Sequence, residues 1–192
     1  VTLREALTAA NTNAAVGDAT AGAAGSLDVI EFAIPGSGPH VIRLGSALPA
    51  ITDAVTLDGL SEPDASCDAW PATLAVVLDG SGTQDGSNGL LVQADDVTIQ
   101  GRSIGNAPER RTPLTGGGFT REGGHGIAIE AVSRTTLTCN YVGVAPDGTT
   151  ATPNEGDGVV ANGATDLRIG TAAPGGRNLV SGNVGRGIQL NG

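Results

Sequence analysis

Four hexapeptides recur along this chain: NGLLVQ (88–93), HGIAIE (125–130), DGVVAN (157–162) and RGIQLN (186–191). Each runs from a polar residue through a glycine into an apolar residue, any residue and a second apolar one, and closes on a polar residue. Their glycines, Gly89, Gly126, Gly158 and Gly187, lie 37, 32 and 29 residues apart. Self-similarity at such a period marks a repeat architecture, in which one repeat is too small to bury its apolar face alone. A second matching segment follows each of the first three: VTIQG (97–101), TLTCN (136–140) and LRIGT (167–171). A third, RNLVSGN (177–183), completes the last full repeat. Three short strands per repeat, with the drift in length absorbed by turns, predict one coil of a parallel β-helix. An antiparallel sandwich, the main rival, gives no reason for one strand to return every ~30 residues.

The rest of the chain agrees with an all-β solenoid. Short apolar runs at 28–34, 40–44, 54–57 and 74–78 are each bounded by Gly, Asn, Asp or Pro. The hydrophobic content is aliphatic and only 2% of residues are aromatic, as a narrow interior requires. The N-terminus differs. Thr2-Leu-Arg-Glu5 forms a capping box, and Leu3, Ala6, Leu7 and Ala10 share one helical face. The expected organisation is a single β-helix domain over 1–192, with a helical cap at 1–13 and coils over 27–192. An amphipathic helix laid across the first coil would cover strand edges that otherwise invite aggregation. One insertion, 106–124 (NAPERRTPLTGGGFTREGG), interrupts the coils and concentrates Glu109, Arg110, Arg111, Arg121 and Glu122.

The formal charge of −10, carried with no lysine at all, disfavours nucleic acid and anionic membrane surfaces. No apolar run approaches the ~18 residues of a spanning helix. The absence of lysine also excludes a Lys–Asn isopeptide crosslink. The two cysteines, Cys67 and Cys139, are too few for a zinc site. They either form one disulfide, which suits an exported protein, or remain two buried thiols.

TLREALTAANTNA (2–14) resembles the opening of bacterial surface proteins named for a Cys-Ser-Leu-Arg-Glu-Ala motif. Leu3, Arg4, Glu5 and Ala6 match, Thr2 replaces the serine, and Val1 stands where the cysteine falls. The stretch 27–59, NYVGVAPDGTT (140–150) and IGTAAPGGRNLVSGNVGRGIQLNG (169–192) are similar to the first and repeating coils of that family. The resemblance covers most of the chain except 107–124. It implies a right-handed parallel β-helix in a large, exported surface or secreted protein, and it supplies no catalytic residue. The chain opens inside that motif and stops in the middle of a coil, as expected of a fragment of a longer solenoid. The other reading is a unit whose open C-terminal coil self-associates into a filament.

The chemistry-bearing residues are few. Parallel β-helices host pectinases and polysaccharide lyases, and the chain resembles polygalacturonases in two short motifs: Asp95-Asp96 and Gly124-His125-Gly126. Paired carboxylates suit glycoside hydrolysis, and a histidine can tune one of them. The repeat argues otherwise. His125 occupies the position held by Asn88, Asp157 and Arg186 in the other hexapeptides, a place open to any polar turn residue. Asp95 and Asp96 precede VTIQ as Thr165 and Asp166 precede LRIG. For calcium, the one cofactor suggested by composition, the best carboxylates are Asp147, Glu155 and Asp157, all in one loop. Arg110, Arg111, Phe119 and Arg121 mark the insertion as the expected contact site for a protein or glycan. The expected function is therefore non-enzymatic: a structural or adhesive protein of a bacterial cell surface or extracellular filament. The alternative is a carbohydrate-active enzyme or glycan-binding module.

Overall fold

A computed structural model describes residues 1–192. After one α-helix, α1 (Leu3–Thr12), the regular structure is mainly short strands joined by turns, with three open sheets whose strand pairings are all parallel. The first sheet stacks β1 (Asp28–Glu31), β3 (Val55–Asp58), β6 (Thr98–Gln100), β11 (Thr136–Thr138) and β14 (Arg168–Ile169). The second stacks β2 (His40–Arg43), β4 (Val76–Asp79), β7 (Arg102–Gly105), β12 (Tyr141–Val142) and β15 (Leu179–Val180). The third stacks β5 (Leu90–Val92), β10 (Ile127–Glu130), β13 (Val159–Asn162) and β16 (Ile188–Asn191). The chain visits the sheets in the same cyclic order, one strand in each. In the first circuit Ile51 takes the third place through a parallel bridge to Val92.

All four hexapeptides therefore fall in the third sheet, and they pair without slip. Leu90, Ile127, Val159 and Ile188 form one ladder; Val92, Ile129, Ala161 and Leu190 form the next. In the first sheet Leu57, Ile99, Leu137 and Ile169 do the same. Like residues stacked this way fill a continuous core of 21 buried apolar residues, running from Leu3 and Leu7 of α1 to Val159 and Ala161. A one-residue slip would turn each ladder outward, so burial of the ladders fixes the register.

The helix forms where the capping box predicts it. Thr2 Oγ1 accepts from the Glu5 amide, Glu5 returns the bond to the Thr2 amide, and Asn13 closes the helix in the left-handed region. Leu3, Leu7 and Ala10 are buried against the core. Arg4 donates to the carbonyls of Ser46 and Ala47, and Asn11 spans the Ala50 carbonyl and the Thr52 amide. These contacts tie α1 to the first circuit.

Three segments depart from the simple repeat. The run at 136–142 is two strands, because Cys139 adopts φ 54° and turns the chain between them. Strand β7 reads RSIG, without the alternation that marked the others. Its Arg102 lies fully buried over the Phe32 ring, 5.2 Å from the centroid. Burial pulls that guanidinium down to about 9, against the opposing pull of Asp58. Finally, the insertion 106–124 is an ordered antiparallel hairpin, β8 (Glu109–Pro113) and β9 (Phe119–Gly123), turning at 114–118.

Polar groups at the corners are spent on the backbone. Cys67 and Cys139 are joined with Cα atoms 6.3 Å apart. In the chain-entropy model, closing a loop of this length stabilises by about 4 kcal/mol. Buried Asn140 and Asn154 bridge circuits, each donating to a carbonyl below and meeting an asparagine above, Asn178 and Asn183. Asp79 collects the Ser81 amide, Asn106 Nδ2 and Arg43 Nε at 3.0–3.1 Å. Burial raises its pKa, but these bonds outweigh that and hold it at about 2. A depressed carboxylate stabilises the fold above its free value of about 3.9, and the contribution is lost as pH falls through the folded value. Urea melts between about pH 4 and pH 2 should thus fall less steeply for Asp79→Asn than for the parent; an identical slope would remove Asp79 from this role.

Candidate functional site

The first residues of the hexapeptides are stacked at one corner of the third sheet, and their side chains bond upward. Asn88 Oδ1 accepts the His125 amide at 3.1 Å, His125 Nδ1 accepts the Asp157 amide at 2.9 Å, and Asp157 Oδ1 accepts the Arg186 amide at 2.6 Å. The position is therefore not open to any polar residue, as the sequence suggested. Each rung needs a side-chain acceptor wherever another circuit lies above it. Arg186, whose side chain cannot accept, gives its amide to Asp157 Oδ1 and ends the series.

This ladder sets the state of His125. Accepting at Nδ1 leaves the proton on Nε2. Burial lowers the imidazole pKa, opposed by the charges of Asp157, Glu109 and Glu130. Protonation would place the ring's second hydrogen at Nδ1, facing the Asp157 N–H. A histidine depressed on folding stabilises the protein above its free value and loses that contribution as pH falls. The His125 ring resonances should titrate with a midpoint below about 6.5. An NMR titration with a midpoint at or above that value would contradict the ladder.

Beside these rungs the hairpin walls a cleft of about 470 Å³ that contains no apolar side chain. Glu109, at the root of β8, is almost wholly buried, with Arg111 Nε at 3.1 Å and Arg121 Nη1 at 3.5 Å. Its amide donates to Glu155 Oε2 at 3.0 Å. Asp157 Oδ2 lies 3.9 Å from His125 Nδ1. Close approach of the chain brings these groups together: a Cβ on Gly156 would lie 2.6 Å from the Gly123 carbonyl oxygen and 2.8 Å from His125 Nδ1.

The residues singled out in the sequence divide between this cleft and other places. Asp95 and Asp96 follow β5, whereas His125 precedes β10, so the three do not share a groove. Asp95 accepts the Ser133 amide at 2.8 Å, and Asp96 takes Arg134 Nε and Nη2 at 2.6 and 2.8 Å. The Ser133 amide lowers the Asp95 pKa, and the bond from Arg134 lowers that of Asp96. Asp147 is parted from Glu155 and Asp157. It caps its own turn through Thr150 and Thr149, and those bonds hold it at about 2. No three acidic, histidine or cysteine side chains come together as a metal-binding group. Arg111 and Arg121 flank Phe119, with guanidinium carbons 5.3 and 5.4 Å from the ring centroid. Arg110 only faces Glu122 at 4.0 Å, an exposed pair of little energetic value.

Sequence reasoning missed Glu109 and Arg186 as members of one site with His125, Glu155 and Asp157. The turn glycines Gly116, Gly117 and Gly118, with oppositely charged residues Arg110 and Glu122 on either side, were the available sign of a hairpin. No helix is long and apolar enough to cross a membrane. No family model, curated protein or solved structure matches the chain.

Proposed function

We propose that this chain is an exported right-handed parallel β-helix with a non-enzymatic, structural or adhesive role at a bacterial cell surface or in an extracellular filament. The observation that carries the reading is the slip-free stacking of the four hexapeptides in one sheet. Three strands per circuit in fixed cyclic order are what a β-helix requires, and rows of like residues on its faces suit lateral contacts. The helix α1 over the first circuit acts as the cap of such a stack. The Leu3-Arg4-Glu5-Ala6 resemblance supports export, and so does the Cys67–Cys139 pair, since disulfides persist in oxidising compartments. A non-enzymatic role is favoured because Asp95, Asp96 and His125, the residues nearest to a hydrolase motif, are dispersed over turns and bonded to the fold.

Antibody raised against the chain should label intact cells of its source, and mild external protease should remove the signal. Labelling that requires permeabilised cells would refute the surface assignment.

A further inference from the structure

We infer that the cleft between the β8–β9 hairpin and the rungs of His125, Asp157 and Arg186 is a binding site for an uncharged glycan. This goes beyond the structural role and does not depend on it: a failure of glycan binding would leave the stacked architecture untouched.

The chemistry of the lining selects the ligand. The cleft offers carboxylate acceptors on Glu155 and Asp157 next to cationic donors on Arg121 and Arg186 and a neutral donor at His125 Nε2. Several of these groups are unspent. Glu155 Oε1, Asp157 Oδ2 and His125 Nε2 make no hydrogen bond within the protein, although other atoms of the same side chains are fixed by the fold. Their positions are thus set in advance while their remaining valences face the cleft, which limits the ordering cost of binding.

Acceptors and donors set side by side match a hydroxyl group, which both donates and accepts. A ligand bearing rows of hydroxyls satisfies such a surface; an apolar ligand finds nothing to contact, since no lining side chain is hydrophobic. Charge narrows the class further. Glu109, Glu155 and Asp157 face two arginines and a neutral histidine, an excess of one negative charge on a chain of net −10. That balance works against uronic acids, phosphates and nucleotides. No carboxylate triad converges to recruit a metal in compensation. The cleft-lining Arg121 is itself packed against Phe119, whose ring it shares with Arg111.

Saturation-transfer NMR with cellohexaose, mannohexaose, chitohexaose and hexagalacturonate as probes tests the proposal on the intact chain. At least one of the three uncharged hexamers should bind, and hexagalacturonate should bind more weakly than it does. Arg186→Ala and Glu155→Gln should each weaken binding by about tenfold or more, whereas Arg168→Ala, on an exposed strand of the first sheet, should not change it. Circular-dichroism melts establish that each variant is folded; Arg186, whose side chain is exposed, tests the site even if the glutamate variant unfolds. Absence of binding by all three uncharged hexamers, preference for hexagalacturonate, or undiminished binding by folded Arg186→Ala would each overturn the assignment.

Discussion

Alanine at Gly126 is expected to destabilise the fold by about 3 kcal/mol, and by more if the backbone cannot give, as overpacking of a rigid interior does. Gly126 has no left-handed φ, so the reason is space alone. A Cβ there would lie 2.4 Å from Val142 Cγ1, 2.7 Å from the Gly158 carbonyl oxygen and 2.8 Å from Asn154 Nδ2. Two of these are fixed: a backbone carbonyl of the next circuit and the amide of a wholly buried asparagine. Gly89 and Gly158 are in the same position, with the carbonyl oxygens of Gly126 and Gly187 at 2.5 and 2.6 Å. Gly187 is the internal control. A Cβ there has its nearest neighbour at 3.6 Å, and Gly187→Ala should stay within about 0.5 kcal/mol of the parent. Urea denaturation of the two variants checks the contrast, and equal losses would show that stacking is not what demands the glycine.

The second large effect is expected at Asn154. Its Oδ1 accepts the Ala107 amide at 3.1 Å, and its Nδ2 donates to the Ile104 carbonyl at 3.3 Å and to Asn183 Oδ1 at 2.8 Å. The residue is 0% exposed, so water cannot replace it. Asn154→Ala strands the Ala107 amide in the interior, at about 1–3 kcal/mol, takes one of two donors from the Ile104 carbonyl, which keeps the Gly143 amide, and also leaves a cavity. We expect a total loss of about 4 kcal/mol. Asn183→Ala should lose less, because Asn183 is partly exposed, Ser181 beside it is exposed, and the Val142 carbonyl keeps the Ser181 amide. Chemical denaturation ranks the two, and an Asn154 variant as stable as the Asn183 variant would count against the buried bridge as a main support of the corner.

These two residues show which parts of the molecule were legible in advance. Gly126 was visible because its glycine recurs at the same place in four hexapeptides, and at three of them, Gly89, Gly126 and Gly158, the same close approach demands it. The helix was visible because Thr2 and Glu5 cap it within a single turn. Asn154 was not visible, since its partners are 29 to 50 residues away and no periodic signal connects them. Strand β7 was missed because its ladder place is filled by Arg102, whose burial is tolerated through the Phe32 ring and the Gln100 carbonyl. The cleft was split for a similar reason. Glu109 and Arg121 belong to the hairpin, Asp157 and Arg186 to later circuits, and only stacking brings them together. The acceptor rule was partly in view: asparagine, histidine and aspartate can each accept, whereas arginine cannot. What that choice meant depended on knowing which amide lay above each side chain.

The slip-free ladders have one more consequence. The distance between successive hexapeptide glycines ranges from 29 to 37 residues, yet Ile127 still faces Leu90 and Val159 still faces Ile127. Sequence length is thus decoupled from phase. The β8–β9 hairpin enters between β7 and β10 and leaves again without shifting a rung, so the corner acts as a splice point on a scaffold indifferent to what is spliced there. A lineage built on such a scaffold can exchange whole recognition elements at its corners while the interior keeps time.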